Sequence, residues 1–141
     1  MHQLNYDDNN IFARILRGEI PCHTVYDDAV ALAFMDVMPQ SKGHFLVVPR
    51  KACRNLLDAD PEILAQTIVI AQKLAQAAMK AFDADGVSLA QFNEAPAGQT
   101  VFHLHFHVIP RFEGVALKPH IGPMAQDDEL AALAAMIRAQ L

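Results

Sequence analysis

The chain has 141 residues, 52% of them hydrophobic and 19% charged, with a formal net charge of −5 at pH 7. That size and balance suit one globular domain with a sizeable core, and exclude a disordered chain. The acidic balance argues against broad nucleic-acid binding, and no run approaches the roughly 18 apolar residues of a membrane helix.

Residues 1–8 are polar and acidic and lack the charged and apolar regions of a signal peptide, so a cytoplasmic protein is expected. Residues 11–17 read as a short helix stopped by Gly18, with Pro21 just beyond. Cys22 and Cys53 are too few for a disulfide framework or a Cys-x-x-Cys metal site, and read as reduced thiols. Val25-Tyr26 and residues 29–35 flank Asp27-Asp28, a plausible hairpin turn. Lys42-Gly43 marks a second turn, followed by the apolar run Phe45-Leu46-Val47-Val48 that Pro49 ends. The cations Lys42, Arg50, Lys51 and Arg54 read as a solvated strand end rather than a phosphate contact.

Asp60 has the form of an N-cap, with Pro61 at the first helical position and Glu62 in the first turn. Leu64, Ile68, Ala71, Ala75, Met79 and Phe82 then recur at helical spacing, predicting one long amphipathic helix ended by Asp85-Gly86. Residues 87–92 alternate as a half-buried strand should, and 93–100 form a loop containing Pro96 and Gly98. Residues 114–123, rich in Gly and Pro, are expected to wrap over the surface. Asp127-Asp128-Glu129 opens a terminal helix with Leu130, Leu133, Ile137 and Leu141 on one face. Antiparallel strands with one long interposed helix make the fold class α+β, in a single domain over 1–141.

Residues 101–109 carry the most informative pattern: His103, His105 and His107 at two-residue spacing, each followed by an apolar residue. On a β-strand the three imidazoles share one face, and Leu104, Phe106 and Val108 share the buried other. Such a row could bind a transition metal or do nucleophilic and acid–base chemistry. The preceding Gly98-Gln99-Thr100 offers backbone, amide and hydroxyl donors that suit a phosphate or an oxyanion. No Asp or Glu lies within 95–112 to orient a metal-bound imidazole. The second reading is therefore preferred.

His103-Leu104-His105-Phe106-His107-Val108-Ile109, preceded by Ala97-Gly98-Gln99-Thr100-Val101, resembles the His-x-His-x-His-x-x signature of the histidine-triad (HIT) superfamily. The resemblance continues through Ile11-Phe12, Gly18-Glu19-Ile20-Pro21, Ala33-Phe34-Met35-Asp36 and Lys42-Gly43-His44-Phe45-Leu46-Val47-Val48-Pro49-Arg50. It covers about residues 10–112 and is nearest to the Hint-like and bacterial HIT hydrolases. It implies an HIT-like fold: an antiparallel sheet of about five strands, one long helix packed on it, and a short N-terminal helix. A C-terminal extension over 113–141 would carry the last helix.

The implied activity is hydrolysis of purine nucleoside phosphoramidates or related conjugates at the α-phosphate, through a covalent nucleotidyl-histidine and without a cofactor. His105 would be the nucleophile and His107 would bond a nonbridging oxygen, with His103 and His44 in support. Gln99 and Thr100 would hold the phosphate within the loop of Gly98 and Val101, Thr100 assisting the leaving group and Asn93 adding an amide. Asp36 would bind the ribose hydroxyls. Ile11, Phe12, Phe34 and Val37 would line the base, whereas Ile15 and Leu46 serve equally well as core. Little discrimination between purines follows from such walls. A homodimer is also implied, as is an AMP-like product.

Many relatives place a structural zinc on residues that here are Asn10, Ala13 and Ala52, so no zinc is expected in this chain. Within the same resemblance a dinucleoside polyphosphate hydrolase is the alternative; His107 disfavours the nucleotidyl transferases, which carry Gln there. A nucleotide-binding module with vestigial catalysis, and a metalloenzyme built on the histidine row, are the competing classes. His2, His23 and His120 match no motif and are assigned no function.

Overall fold

In the computed structural model, residues 5–141 are described; His2 and the rest of the first four residues lie outside them. Among the described residues five strands form one sheet, β1 (Thr24–Asp27), β2 (Ala31–Met35), β3 (Phe45–Pro49), β4 (Gly86–Ala90) and β5 (Phe106–Arg111). Their order is β1-β2-β3-β5-β4, with every neighbouring pair antiparallel. Three α-helices accompany it: α1 (Ile11–Leu16), α2 (Pro61–Phe82) and α3 (Asp127–Arg138). This is the expected α+β arrangement.

Pleating divides the sheet residues between two cores. Ala31, Ala33, Met35, Phe45, Val47, Phe106 and Val108 face α2 and α3, where they meet Leu74, Ala78, Leu130 and Ile137. Leu32, Phe34, Leu46 and Val48 face the other way and pack with Phe12, Ile15 and Leu16 of α1. The second face carries the candidate site.

Local signals account for most element ends. The Asn10 side chain accepts from Ala13 N–H and starts α1, while the Asp60 side chain accepts from Glu62 N–H ahead of Pro61 and starts α2. α2 ends earlier than Asp85-Gly86, because Asp83 takes the left-handed conformation at φ 48°. Its buried stripe is also rotated from the expected one, running through Thr67, Ala71, Leu74, Ala77, Ala78 and Phe82. Small residues let α2 sit close to the sheet and α3. Ile68 instead opens, with Val69, onto a hollow of about 420 Å³ beside Val87 and Leu89 of β4. Leu141 lies past the end of α3 and is exposed, whereas Leu130, Leu133 and Ile137 are buried as expected.

The largest departure concerns the histidine segment. Only His107 lies in β5; residues 101–105 approach the strand as irregular backbone. Pro49 has no N–H to give a ladder, and its carbonyl is taken by the His103 ring. Leu104 N–H meanwhile donates to Cys53 O at 2.9 Å. The bonds that would extend the β3–β5 ladder are thus made elsewhere. Leu104, Phe106 and Val108 are nonetheless all buried in the core, as the alternation predicts.

Candidate active site

β3 and β5 carry the middle of the site. Leu46 stands opposite His107 in register, so His44, two residues earlier, is a diagonal neighbour of His107 on the same face. Nε2 of His44 lies 3.0 Å from Nδ1 of His107. The direction of this bond follows from a third partner: the Gln40 backbone N–H donates to His44 Nδ1 at 3.0 Å. That nitrogen holds a lone pair, so the proton of neutral His44 is on Nε2. His44 donates to His107, and the proton of His107 is therefore on its own Nε2.

A second chain orders the other two rings. The Tyr6 hydroxyl lies 2.6 Å from His103 Nδ1, and His103 Nε2 lies 2.8 Å from the Pro49 carbonyl. A carbonyl only accepts, so Nε2 carries the proton and Nδ1 accepts from Tyr6. His105 Nδ1 in turn donates to the His103 carbonyl at 2.7 Å, leaving a lone pair on His105 Nε2. No partner for that nitrogen is found among the described residues. No fully enclosed side-chain nitrogen or oxygen there lacks a partner, so His105 Nε2 reaches the surface. The His105 ring itself is 8% exposed, packed edge-on to Phe12 at 4.8 Å and standing 5.0 Å from the His107 ring.

Burial keeps these rings neutral. It pushes His44 down to about 4, against the opposing pull of the Asp36 carboxylate. His107 falls to about 3, by burial first and then by the neighbouring His105 and His44. Burial also lowers His103 and His105. Repulsion between clustered imidazolium ions therefore does not arise near neutral pH.

Asp36 follows β2 and is buried. Its Oδ1 accepts from Met38 N–H at 2.8 Å, and its Oδ2 accepts from His120 Nε2 at 2.7 Å. His44 Nε2 is 3.4 Å from the same oxygen and His107 Nδ1 is 4.0 Å from it. Donor atoms of Asp36, His44 and His107 all lie within 4.8 Å of one another, a span a metal ion could bridge. A metal would need the Nε2 lone pair of His44, but that nitrogen is protonated while Gln40 occupies Nδ1. The donor set fits a hydrogen-bond relay better than a coordination sphere.

His120 has a role here that its sequence neighbourhood does not signal. The segment bearing it is tied across residues 36–40: Lys118 N–H donates to Gln40 O, and Ala125 N–H donates to Val37 O. The Gln40 side chain returns a bond to Lys118 O at 3.2 Å. The His120 ring lies 5.7 Å from those of both His44 and His107. Tyr6 is the second residue without a sequence signal.

The loop before the histidines departs from expectation at Gln99. Its Oε1 accepts from Asn55 Nδ2 and Glu94 N–H, and its Nε2 donates to the carbonyls of Arg54 and Val101. Every hydrogen-bonding position of the amide is used within the chain, so Gln99 shapes the loop and is not free to hold a phosphate. Asn93 is partly used in the same way, through Leu56 N–H and Gln91, with one Nδ2 proton left over. Thr100 is exposed. Gly98 is exposed at φ 104°, where a Cβ would meet the Phe92 ring at 3.5 Å. Phe92 in turn stands 5.8 Å from the His107 ring.

Around the rim, Phe12 and Phe34 are buried edge to face at 5.5 Å, Ile11 and Val37 are exposed, and Val101 is half-buried beside them. The nearby cations are engaged: Arg50 with Asp27, Lys51 with Asp60, Arg54 with Glu94, and Lys42 over the Phe82 ring.

The HIT domain family model matches residues 17–114. The chain belongs to the HIT family. A HIT-like protein of Bartonella henselae described as involved in cell-cycle regulation has a solved structure that superposes with a TM-score of 0.92. It is 54% identical, over 96% of this chain and 98% of that one. An uncharacterized HIT-like protein of Methanocaldococcus jannaschii is 41% identical over 104 residues, 74% of this chain and 80% of its own. An adenosine 5′-monophosphoramidase of Schizosaccharomyces pombe is 36% identical over 101 residues, 72% and 73% of the two chains.

Proposed function

We propose that this HIT protein is a nucleotide hydrolase that cleaves purine nucleoside phosphoramidates, or related nucleotide conjugates, at the α-phosphate. The observation that carries the reading is the open Nε2 lone pair of His105, aimed by the 2.7 Å bond from Nδ1 to the His103 carbonyl. Beside it His107 carries its proton on Nε2, a donor for a nonbridging phosphate oxygen as charge develops there. Binding alone would need neither a tautomer-fixed nucleophile nor a neighbouring donor. The phosphoramidase name of the fission yeast relative supports the same substrate class.

In this reading His105 Nε2 bonds to the α-phosphorus while the bond from phosphorus to the leaving group breaks. The ring keeps its Nδ1 proton, so the adduct carries a positive charge facing the His103 carbonyl. The departing amine takes a proton from solvent, relayed by the exposed Thr100 hydroxyl. Water then attacks phosphorus and gives a proton to solvent. The bond to His105 breaks, its lone pair returns, and an AMP-like product leaves. The walls of Ile11, Phe12, Phe34 and Val37 offer a purine little to hydrogen-bond, so selectivity lies at phosphorus rather than at the base. Asp36 binds the ribose hydroxyls, with Asn93 and the backbone from Gly98 to Val101 framing the phosphate side. For that contact His120 must leave Oδ2.

A second copy of the chain fits the outer edge of β4. No described strand pairs with that edge, and Val87 and Leu89 stand exposed beside Ile68 and Val69. A homodimer that continues the sheet there covers both the open backbone and the apolar surface.

The direct test is a panel of substrates that share AMP and vary only the leaving group, run beside His105→Asn. Turnover of adenosine phosphoramidate that His105→Asn abolishes, with AMP binding retained, supports the reading. Turnover of none, or turnover that survives the substitution, refutes it.

A further inference from the structure

The nucleophile's orienting bond ends on a backbone that no sheet ladder holds. His105 donates its Nδ1 proton to the carbonyl of residue 103, yet β5 begins only at Phe106. Residues 101–103 are bends, and the backbone tie nearest that carbonyl is Leu104 N–H to Cys53 O. What else fixes residue 103 is its own ring, fully buried and bonded at both nitrogens: to Pro49 O at 2.8 Å and to the Tyr6 hydroxyl at 2.6 Å.

We infer that Tyr6 is a positioning residue for the nucleophile. Through the His103 ring it sets the carbonyl that keeps the His105 proton on Nδ1 and the lone pair on Nε2. The inference rests on the hydrolase reading above.

The chemistry of the contact is specific to a hydroxyl. With Nε2 of His103 donating to a carbonyl, Nδ1 can only accept, and Tyr6 O–H is the donor within reach. Tyr6 meets the ring edge-on, with centroids 5.6 Å apart and planes at 67°, so the hydroxyl bond adds to an aromatic contact that phenylalanine would keep. Burial raises the Tyr6 pKa, so the phenol stays a donor across the working range. Its reach is long in sequence, 97 residues from Tyr6 to His103. Tyr6 thereby becomes part of the site without touching substrate. Without the hydroxyl, Nδ1 of a fully buried ring has no donor. The ring then keeps its Nε2 bond to Pro49 O but is free to turn about it, and the carbonyl on irregular backbone moves with it.

The test compares the full chain with Tyr6→Phe. Steady-state turnover of adenosine phosphoramidate is measured beside AMP affinity by calorimetry. Long-range ¹H–¹⁵N spectra then report the proton position on each imidazole. The inference expects His103 Nε2–H and His105 Nδ1–H in the native protein. In Tyr6→Phe it expects His103 to stay Nε2–H on the Pro49 carbonyl while His105 shows mixed tautomers, with kcat down roughly 10-fold, as is typical when a histidine loses its orienting partner. AMP affinity should stay within about two-fold, since Tyr6 does not line the nucleotide site. An unchanged His105 tautomer in Tyr6→Phe, or a kcat loss matched by an equal loss of AMP affinity, would overturn it. If Tyr6→Phe does not fold, the native spectrum alone decides: a proton on His103 Nδ1 refutes the assignment, and a proton on Nε2 supports it. Failure of the hydrolase reading shows separately, as absence of turnover in the native protein while the imidazole spectra still report on Tyr6.

Discussion

Replacing His120 by alanine should tighten nucleotide binding, because His120 occupies the carboxylate that the ribose needs. The bond from His120 Nε2 to Asp36 Oδ2 is 2.7 Å, and the imidazole is 32% exposed while the carboxylate is buried. A hydrogen bond to a charged acceptor contributes about 1.5–3 kcal/mol net, and partial exposure puts this one near the lower end. About 1.5 kcal/mol holds the occupied state over the open one by roughly 12 to 1, and apparent affinity falls by the same fraction. His120→Ala should therefore lower the Kd for AMP roughly tenfold by calorimetry. Binding of 2′,3′-dideoxy-AMP, which has no hydroxyls for Asp36, should tighten far less. A Kd for AMP that rises in His120→Ala would refute the reasoning, since it would make His120 a nucleotide contact rather than an occupant of the ribose position.

The neutral histidines make stability fall in acid. Their folded pKa values lie below the unfolded value near 6.5, so the unfolded chain binds more protons between the two. Stability is full above pH 6.5 and declines from there towards pH 4. At about 1.4 kcal/mol per unit, His44 and His107 each cost on the order of 2 kcal/mol by pH 5. Urea denaturation at pH 7.5 and 5 measures this, and equal midpoints would contradict it. Gln99→Leu leaves two donors and two carbonyls without partners and should destabilise by roughly 3 kcal/mol or more in the same assay. Thr100→Val, at an exposed position, should leave the midpoint unchanged and lower kcat for amine leaving groups; a matching loss of stability would show that Thr100 is structural. Leu89→Asp should convert a dimer to monomer by sedimentation equilibrium, and a dimer that survives would place the interface elsewhere.

Much of the fold is legible because its signals are local. The cap at Asp60, the turn at Lys42-Gly43, and the alternation of Leu104, Phe106 and Val108 each act within a few residues. The site is legible only in its residue types. Two-residue spacing put three imidazoles on one strand, but the His103 ring competes for the Pro49 carbonyl and keeps the ladder from reaching His103 and His105. Gln99 has the form of a phosphate ligand until its amide is followed to Asn55, Glu94, Arg54 and Val101. His120 and Tyr6 reach partners 84 and 97 residues away, a separation that periodicity does not encode. Ile68 matches the helical period yet faces outward, because the buried stripe of α2 runs through Thr67, Ala71, Leu74, Ala78 and Phe82 and leaves Ile68 to one side.

The stereochemical course at phosphorus tests the central claim most directly. A substrate made chiral at the α-phosphorus with sulfur is hydrolysed in ¹⁸O-labelled water and the product configuration is read by ³¹P NMR. Two successive in-line displacements, first by His105 and then by water, predict overall retention. Inversion would mean that water attacks the substrate directly and that His105 never bonds to phosphorus.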